Sequence, residues 1–253
     1  MFKFLAHFVI IVMGLVLASQ PVRAEFKIES FDSNGTKLAY FTEGKGEPVV
    51  LIHGWLSSAG VNWALPGISG ALAKDFQVIA LDVRGHGISD KPTKPEAYGN
   101  ELVADVVRLL DHLKIKKAHI VGYSMGGFIT ARFIAKHPDR ALSGTLCGSG
   151  WLREGSLEQK VFAGDGKGKD AAGICFQSIA KLAMTEKEFK AIRVPTSFII
   201  GGNDFLKRLY VDPAAKLHAD WPVKEIKDGD HLTCILKPQF REEIAVWLKK
   251  QGK

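Results

Sequence analysis

Ala118-His119-Ile120-Val121-Gly122-Tyr123-Ser124-Met125-Gly126-Gly127 is the stretch on which the fold turns. The short apolar run Ala118 to Val121 reads as a buried strand, and Met125 to Lys136 reads as a helix that stops near Pro138. Between them, Gly-x-Ser-x-Gly puts a serine at a sharp strand-to-helix turn. Its hydroxyl then stands above the carboxyl ends of the strands, the side on which open α/β sheets bind ligands. Gly122 and Gly126 suit that turn, because a Cβ two residues to either side of the serine collides as the chain doubles back. Gly127 leaves room for close helix packing.

The same rhythm extends to both sides. Val49 to Ile52, Phe76 to Leu81, Leu142 to Leu146 and Thr196 to Ile200 are short continuous apolar runs, each ending in a turn and followed by a helical stretch. Buried parallel strands read this way, because helices cover both faces of their sheet. Ahead of them, residues 26–31 and 37–43 alternate around Asn34-Gly35, a hairpin signature, so the sheet begins antiparallel. Glu101 to Leu113 aligns Leu102, Val106, Leu109, Leu110 and Leu113 on one helical face, and residues 237–250 form a closing helix with Phe240, Ile244, Trp247 and Leu248 inward. The class is α/β, a mostly parallel sheet with helices on both faces and an antiparallel N-terminal hairpin. Residues 148–192 interrupt the alternation as a short cap insertion. Its first half is rich in glycine (Gly150, Gly155, Gly164, Gly166, Gly168, Gly173), and its one convincing helix runs from Ile174 to Met184.

The 253 residues, 46% apolar and 24% charged, suit one globular domain, residues 25–253. Residues 1–24 read as an export signal: Lys3, an apolar run from Phe8 to Ala18, then Val22-Arg23-Ala24 before Glu25. The expected location is therefore secreted or periplasmic, with an uncleaved membrane anchor as the alternative and no membrane insertion once the signal is removed. The chain is basic, with net charge +7. Its Lys and Arg are dispersed, the densest cluster being Lys114, Lys116 and Lys117, so no nucleic-acid partner is expected. Cys147, Cys175 and Cys234 allow at most one internal bridge.

A serine hydroxyl needs a base. His231, in Asp228-Gly229-Asp230-His231 beyond the short run Val223 to Ile226, is the candidate. His112, His119, His137 and His218 fall in or beside helices and strands, where packing explains them, and His53 reads as loop packing. A carboxylate should orient the imidazole. Asp204, in Gly201-Gly202-Asn203-Asp204 past the run Thr196 to Ile200, stands on the right side and in the right order. Asp212 lies further on, and Asp230 adjoins His231 too closely. His53-Gly54-Trp55 follows the strand Val49 to Ile52, so the backbone amide of Trp55 can aim at the same point as that of Met125, two donors for an oxyanion.

Together, His53-Gly54-Trp55, Asp82-Val83-Arg84-Gly85-His86-Gly87-Ile88-Ser89, Gly122 to Gly127, Gly201 to Asp204 and Gly229-Asp230-His231 resemble the α/β-hydrolase superfamily in its esterase and lipase-like branch, over about residues 26–250. The resemblance implies a serine hydrolase without a cofactor or a metal, in which Asp82 to Ser89 is a structural loop and neither Arg84 nor His86 is catalytic. It disfavours dehalogenase and epoxide hydrolase chemistry, which use an aspartate where Ser124 stands. The expectation is an exported serine hydrolase acting on a small-molecule, ester-like substrate through an acyl-enzyme, with Ser124, His231 and Asp204 catalytic. Trp55 and Met125 would form the oxyanion hole, and Trp55, Trp151 and Phe162 would wall a shallow acyl pocket. An amide or C–C bond hydrolase, a perhydrolase and a non-catalytic ligand-binding protein of the same fold are the alternatives.

Overall fold

The structure, a computed structural model, describes residues 27–252. The expected export signal lies outside them. Eight strands, β1 (Ile28–Asp32), β2 (Lys37–Glu43), β3 (Glu47–Ile52), β4 (Phe76–Leu81), β5 (Ala118–Tyr123), β6 (Ala141–Cys147), β7 (Thr196–Gly201) and β8 (Val223–Ile226), form one sheet in the order β1-β2-β4-β3-β5-β6-β7-β8. β2 pairs antiparallel with β1 and with β4, and the remaining pairings are parallel. The hairpin closes on Asn34 and Gly35, both at positive φ (57° and 77°), while Ser33 N–H donates to the Thr36 carbonyl at 2.8 Å. Those two left-handed residues match the twist of the strands they join, which is why Asn-Gly marks the turn.

Among the described residues, eight α-helices surround the sheet: α1 (Ile68–Leu72), α2 (Asn100–His112), α3 (Met125–Lys136), α4 (Leu157–Ala163), α5 (Ala171–Ser178), α6 (Glu186–Lys190), α7 (Asp212–Leu217) and α8 (Pro238–Gln251). Because side chains alternate across a strand, each apolar run feeds two cores. Val50, Ile52, Ile79 and Leu81 join Leu102, Val106, Leu109 and Phe133 of α2 and α3 on one face. Val49, Leu51, Val78 and Ala80 join Ile68, Leu72, Phe240, Ile244 and Leu248 of α1 and α8 on the other. Fully burying one such Val, Leu or Ile contributes about 1.5–3 kcal/mol. Leu113 and Trp247, expected inward, are half-buried.

The insertion is richer in helix than its sequence suggests. The expected helix begins earlier, as α5, and passes into a 3-10 turn over Ile179–Leu182, with Ile174, Ile179 and Leu182 buried; α4 and α6 flank it. α4 buries no residue, its Leu157 and Val161 standing exposed; what marks its start is the Ser156 side chain accepting from the Gln159 amide. Asp170 does the same for α5 through the Gly173 amide, and Thr185 with Glu188 forms a capping box on α6. The glycine-rich turn is tied back as well: Gly168 N–H donates to Gln177 Oε1 at 2.7 Å, and Gln177 Nε2 donates to Asp165 at 3.3 Å.

One buried charge cluster joins the hairpin, the loop after β4 and α2. Arg84 Nε donates to Asp105 Oδ2 at 2.6 Å, its Nη2 donates to Oδ1, and its Nη1 donates to the Ala97 carbonyl at 2.6 Å. Ser33 Oγ, from the hairpin turn, donates to Asp105 Oδ1 at 2.6 Å. Asp105→Ala strands a buried guanidinium, so urea unfolding of that variant should show a loss of about 3–5 kcal/mol. Replacing Arg84 and Asp105 together by Met and Leu should recover most of it.

Candidate active site

β5 ends in a backbone reversal that few residues tolerate. Ser124 adopts φ 54°, ψ -113°, a conformation that costs a non-glycine residue about 1–3 kcal/mol and persists only where the surroundings over-determine it. They do so here. Ser124 N–H donates to the Cys147 carbonyl of β6 at 2.7 Å, and Gly127 N–H donates to the Ser124 carbonyl at 2.9 Å. A Cβ on Gly122 would collide with the Gly126 carbonyl oxygen, and one on Gly126 with that of Ile52. The glycines thus let β3, β5 and α3 approach closely enough to hold the serine out of the sheet.

Three loops at the carboxyl edge converge on that hydroxyl. Ser124 Oγ lies 3.0 Å from His231 Nε2, and His231 Nδ1 lies 2.7 Å from Asp204 Oδ2. Asp204 is buried, and its other oxygen accepts the Leu206 amide at 2.9 Å, which fixes the carboxylate plane. The acid and base loops are stitched together by Asn203 N–H donating to the Gly229 carbonyl at 2.9 Å and Gly202 N–H donating to that of Ile226 at 2.9 Å. A carboxylate on Nδ1 holds the proton there and leaves Nε2 free to accept one from the serine. Asp230 faces away from this line. Its Oδ1 accepts the amides of Leu232 and Thr233 at 2.9 and 2.8 Å, and these bonds hold its carboxyl below the usual range. Asp212 pairs with Lys207 at 2.8 Å.

On the other side of Ser124 runs His53-Gly54-Trp55. A Cβ on Gly54 would sit 3.3 Å from Ser124 Cβ, so this loop lies against the serine. Asn62 Oδ1 accepts the Gly54 amide at 2.7 Å; no motif marks Asn62, and only the fold shows its part in holding this loop. The amides of Trp55 and Met125 donate to no acceptor among the described residues. No cluster of His, Cys, Asp and Glu suited to a metal occurs among the described residues, and Cys147, Cys175 and Cys234 are buried free thiols.

Residues 47–167 match the family model described as alpha/beta hydrolase fold. An enol-lactonase from Burkholderia xenovorans superposes with a TM-score of 0.71 at 25% identity, over 87% of this chain and 100% of that one. The chain has the α/β-hydrolase fold. In sequence it is 40% identical over 122 residues to the dihydrolipoyllysine-residue acetyltransferase component of the acetoin cleaving system of Pseudomonas putida, covering 47% of this chain and 32% of that protein. It is 36% identical over 119 residues to 2-hydroxymuconate semialdehyde hydrolase of Pseudomonas sp. strain CF600, covering 46% and 41%. The matched stretches thus span less than half of either relative.

Within this hydrolase fold the expected substrate wall is only partly present. Trp55 is half-buried, its Nε1 donates to the Ala172 carbonyl of α5 at 2.8 Å, and its ring lies 4.7 Å from that of Phe176. Phe176 in turn lies 5.1 Å from Phe162, which meets Phe128 at 5.7 Å. Trp151 is a correction: it is buried, its indole donates to the Met184 carbonyl at 2.8 Å, and it stacks on Phe189 at 5.3 Å. A buried indole needs a partner for its N–H, and here that partner lies at the far end of the insertion, making Trp151 a strut rather than a wall. Phe176 stands in the aromatic row instead; it is not buried as Ile174 of this helix is, nor as Ile179 and Leu182 beyond it are. The residues directly after Trp55, Asp204 and His231 are large and apolar yet exposed: Leu56 (65%), Phe205 (70%) and Leu232 (60%). A separate cleft of about 550 Å³ opens at the amino-terminal end of β7, lined by Ile192, Pro195, Trp221 and Trp247, away from all the candidate residues.

His53 is fully buried. Its Nδ1 donates to the Gly54 carbonyl at 2.7 Å, and its Nε2 accepts the Val83 amide at 3.0 Å, an arrangement that only the neutral ring satisfies. Burial, reinforced by neighbouring His86, lowers its pKa to about 3; burial also lowers those of His86 and His119. Between the unfolded value near 6.5 and the folded value, the unfolded chain binds a proton at His53 that the folded chain does not, so the contribution of this ring to stability falls as pH falls through that window. Urea unfolding from about pH 7 down to pH 4 should show this decline, with a slope about one proton smaller in His53→Gln.

Proposed function

We propose that this chain is an exported serine hydrolase that cleaves small carboxylic esters through an acyl-enzyme. The observation that carries the reading is the Ser124–His231–Asp204 line, 3.0 and 2.7 Å, set on a strained turn at the ligand-binding edge of the sheet. His231 Nε2 takes the Ser124 proton as Oγ attacks the ester carbonyl carbon, and Asp204 stabilises the imidazolium. The amides of Trp55 and Met125 receive the developing oxyanion; losing one such donor typically costs about 3 kcal/mol. Collapse expels the alcohol, which takes the proton back from His231. Water then attacks the acyl carbon, giving its proton to His231, and the acid leaves as Oγ is restored. Export rests on Lys3, the apolar run Phe8 to Ala18 and Val22-Arg23-Ala24.

The row Trp55–Phe176–Phe162, fastened by the Trp55–Ala172 bond, narrows the side on which an acyl chain would extend, which supports short acyl groups. The likeness to an enol-lactonase supports ester chemistry. The likeness to a semialdehyde hydrolase supports a second reading, C–C bond hydrolysis by the same serine and histidine; a panel of esters and vinylogous diketones separates the two.

Ser124→Ala should abolish ester turnover and labelling by a fluorophosphonate probe while leaving the urea midpoint unchanged. Retention of more than a few per cent of turnover would remove Ser124 from the mechanism. On a series of p-nitrophenyl esters, kcat/KM should peak at short acyl groups and fall for long ones, with no rise above the micelle concentration. A maximum at long chains would mean that the insertion opens as a lid.

A further inference from the structure

We infer that Tyr123 is the positioning residue for His231, so that one peptide of β5 holds both nucleophile and base; this rests on the reading of Ser124 and His231 given above. Three contacts converge. The Tyr123 ring lies nearly parallel to the imidazole, 5.7 Å between centroids and 22° between planes. Its hydroxyl donates to the His231 carbonyl. A Cβ on Gly148 would sit 3.2 Å from His231 Cε1 and 3.3 Å from Tyr123 Cε2, so Gly148 closes the slot in which the imidazole lies.

The His231 loop is tied on either side of the histidine, by Asn203 N–H donating to the Gly229 carbonyl at 2.9 Å and Cys234 N–H donating to the Asp230 carbonyl at 3.1 Å, and neither bond reaches His231 itself. β8 is four residues long, and the bonds of Asp230 to Leu232 and Thr233 stay within the loop. Among the described residues, the bond from Tyr123 is the only hydrogen bond to the His231 main chain. Tyr123 is itself anchored. Phe240 of α8 meets its ring edge-on at 5.8 Å, and Cys234 Sγ lies 3.4 Å from its hydroxyl. The single hydroxyl proton goes to the carbonyl, so the thiol donates to the oxygen, giving a directed chain from Cys234 through Tyr123 to His231. Burial keeps the phenol protonated well above its ordinary range, so it remains a donor throughout. Tyr123 touches no reacting atom. Its effect is to keep Nε2 within reach of Oγ, where a displacement of about 1 Å can cost a hundredfold in rate.

Tyr123→Phe keeps the ring and removes only the hydroxyl. On p-nitrophenyl acetate it should lower kcat about tenfold with KM changed less than about twofold, and broaden the downfield imidazole N–H proton signal of the His231–Asp204 bond. Tyr40→Phe is the matched control: it removes a buried tyrosine hydroxyl, 3.3 Å from His112 Nε2, at a place remote from Ser124, and should leave kcat and that signal unchanged. A Tyr123→Phe protein with wild-type kcat and an unbroadened signal would overturn the inference, as would equal loss of kcat in Tyr40→Phe. Failure of the underlying reading looks different: the wild-type protein would not be labelled by a fluorophosphonate, and Ser124→Ala would keep its turnover.

Discussion

The backbone reversal at Ser124 is the constraint on which the rest of the site depends. A serine at φ 54° is unfavourable in isolation. It is kept there because Gly122 and Gly126 let α3 fold back onto β5 and β3 at backbone contact, and because the bond to the Cys147 carbonyl ties the turn to the neighbouring strand. The same reversal orients α3 so that its first amide, that of Met125, is left without an acceptor beside the hydroxyl. A side chain at either glycine would separate these elements and dissolve the serine's exposure, the free amide and the approach of the His53–Trp55 loop together.

Around that turn, the loops are fixed by buried polar groups rather than by apolar packing alone. His53 bridges its own loop to Val83 and must stay neutral to do so. Asp82 accepts the amides of Ala59 and Ile88, at 2.7 and 2.9 Å, fastening the chain that follows Trp55 to the loop after β4. Arg84 and Asp105 lock that second loop onto α2. These are high-stakes contacts: satisfied, they specify one arrangement, and half-satisfied they cost more than an apolar replacement. The expected acid response of His53 and the placing of the Gly54–Trp55 loop therefore have a common origin in one buried, neutral imidazole.

The insertion works differently. Its buried residues gather at its two ends and in its middle, around Trp151, Ile179 and Phe189, and its helices are set by side-chain caps at Ser156, Asp170 and Thr185. Its grip on the site includes the Trp55–Ala172 bond and the approach of Cys175 Sγ to Met125 Sδ at 3.7 Å. Both engage the residues whose amides flank Ser124, so the segment that shapes the substrate side also braces the backbone beside the serine.

What the sequence determined by itself was local. Continuous apolar runs marked the parallel strands because alternating side chains fill two cores. Asn34-Gly35 marked the hairpin because those residues reach positive φ, and the glycines around Ser124 marked the turn because nothing larger fits. The order of Ser124, Asp204 and His231 along the chain followed from the same strand pattern. Tertiary structure alone decided what is made between distant residues. Asp105 carries no mark in its own helix of the partners it takes: Ser33, 72 residues away, and Arg84. Trp151 looked available to a ligand until Met184 took its indole proton. Tyr123 looked like the variable residue of a motif until the chain returned 108 residues later and set His231 against it. Spacing and composition record the demands a residue makes on its immediate backbone, whereas the partner that satisfies a buried donor or an aromatic face is chosen only when the sheet brings its loops to one edge.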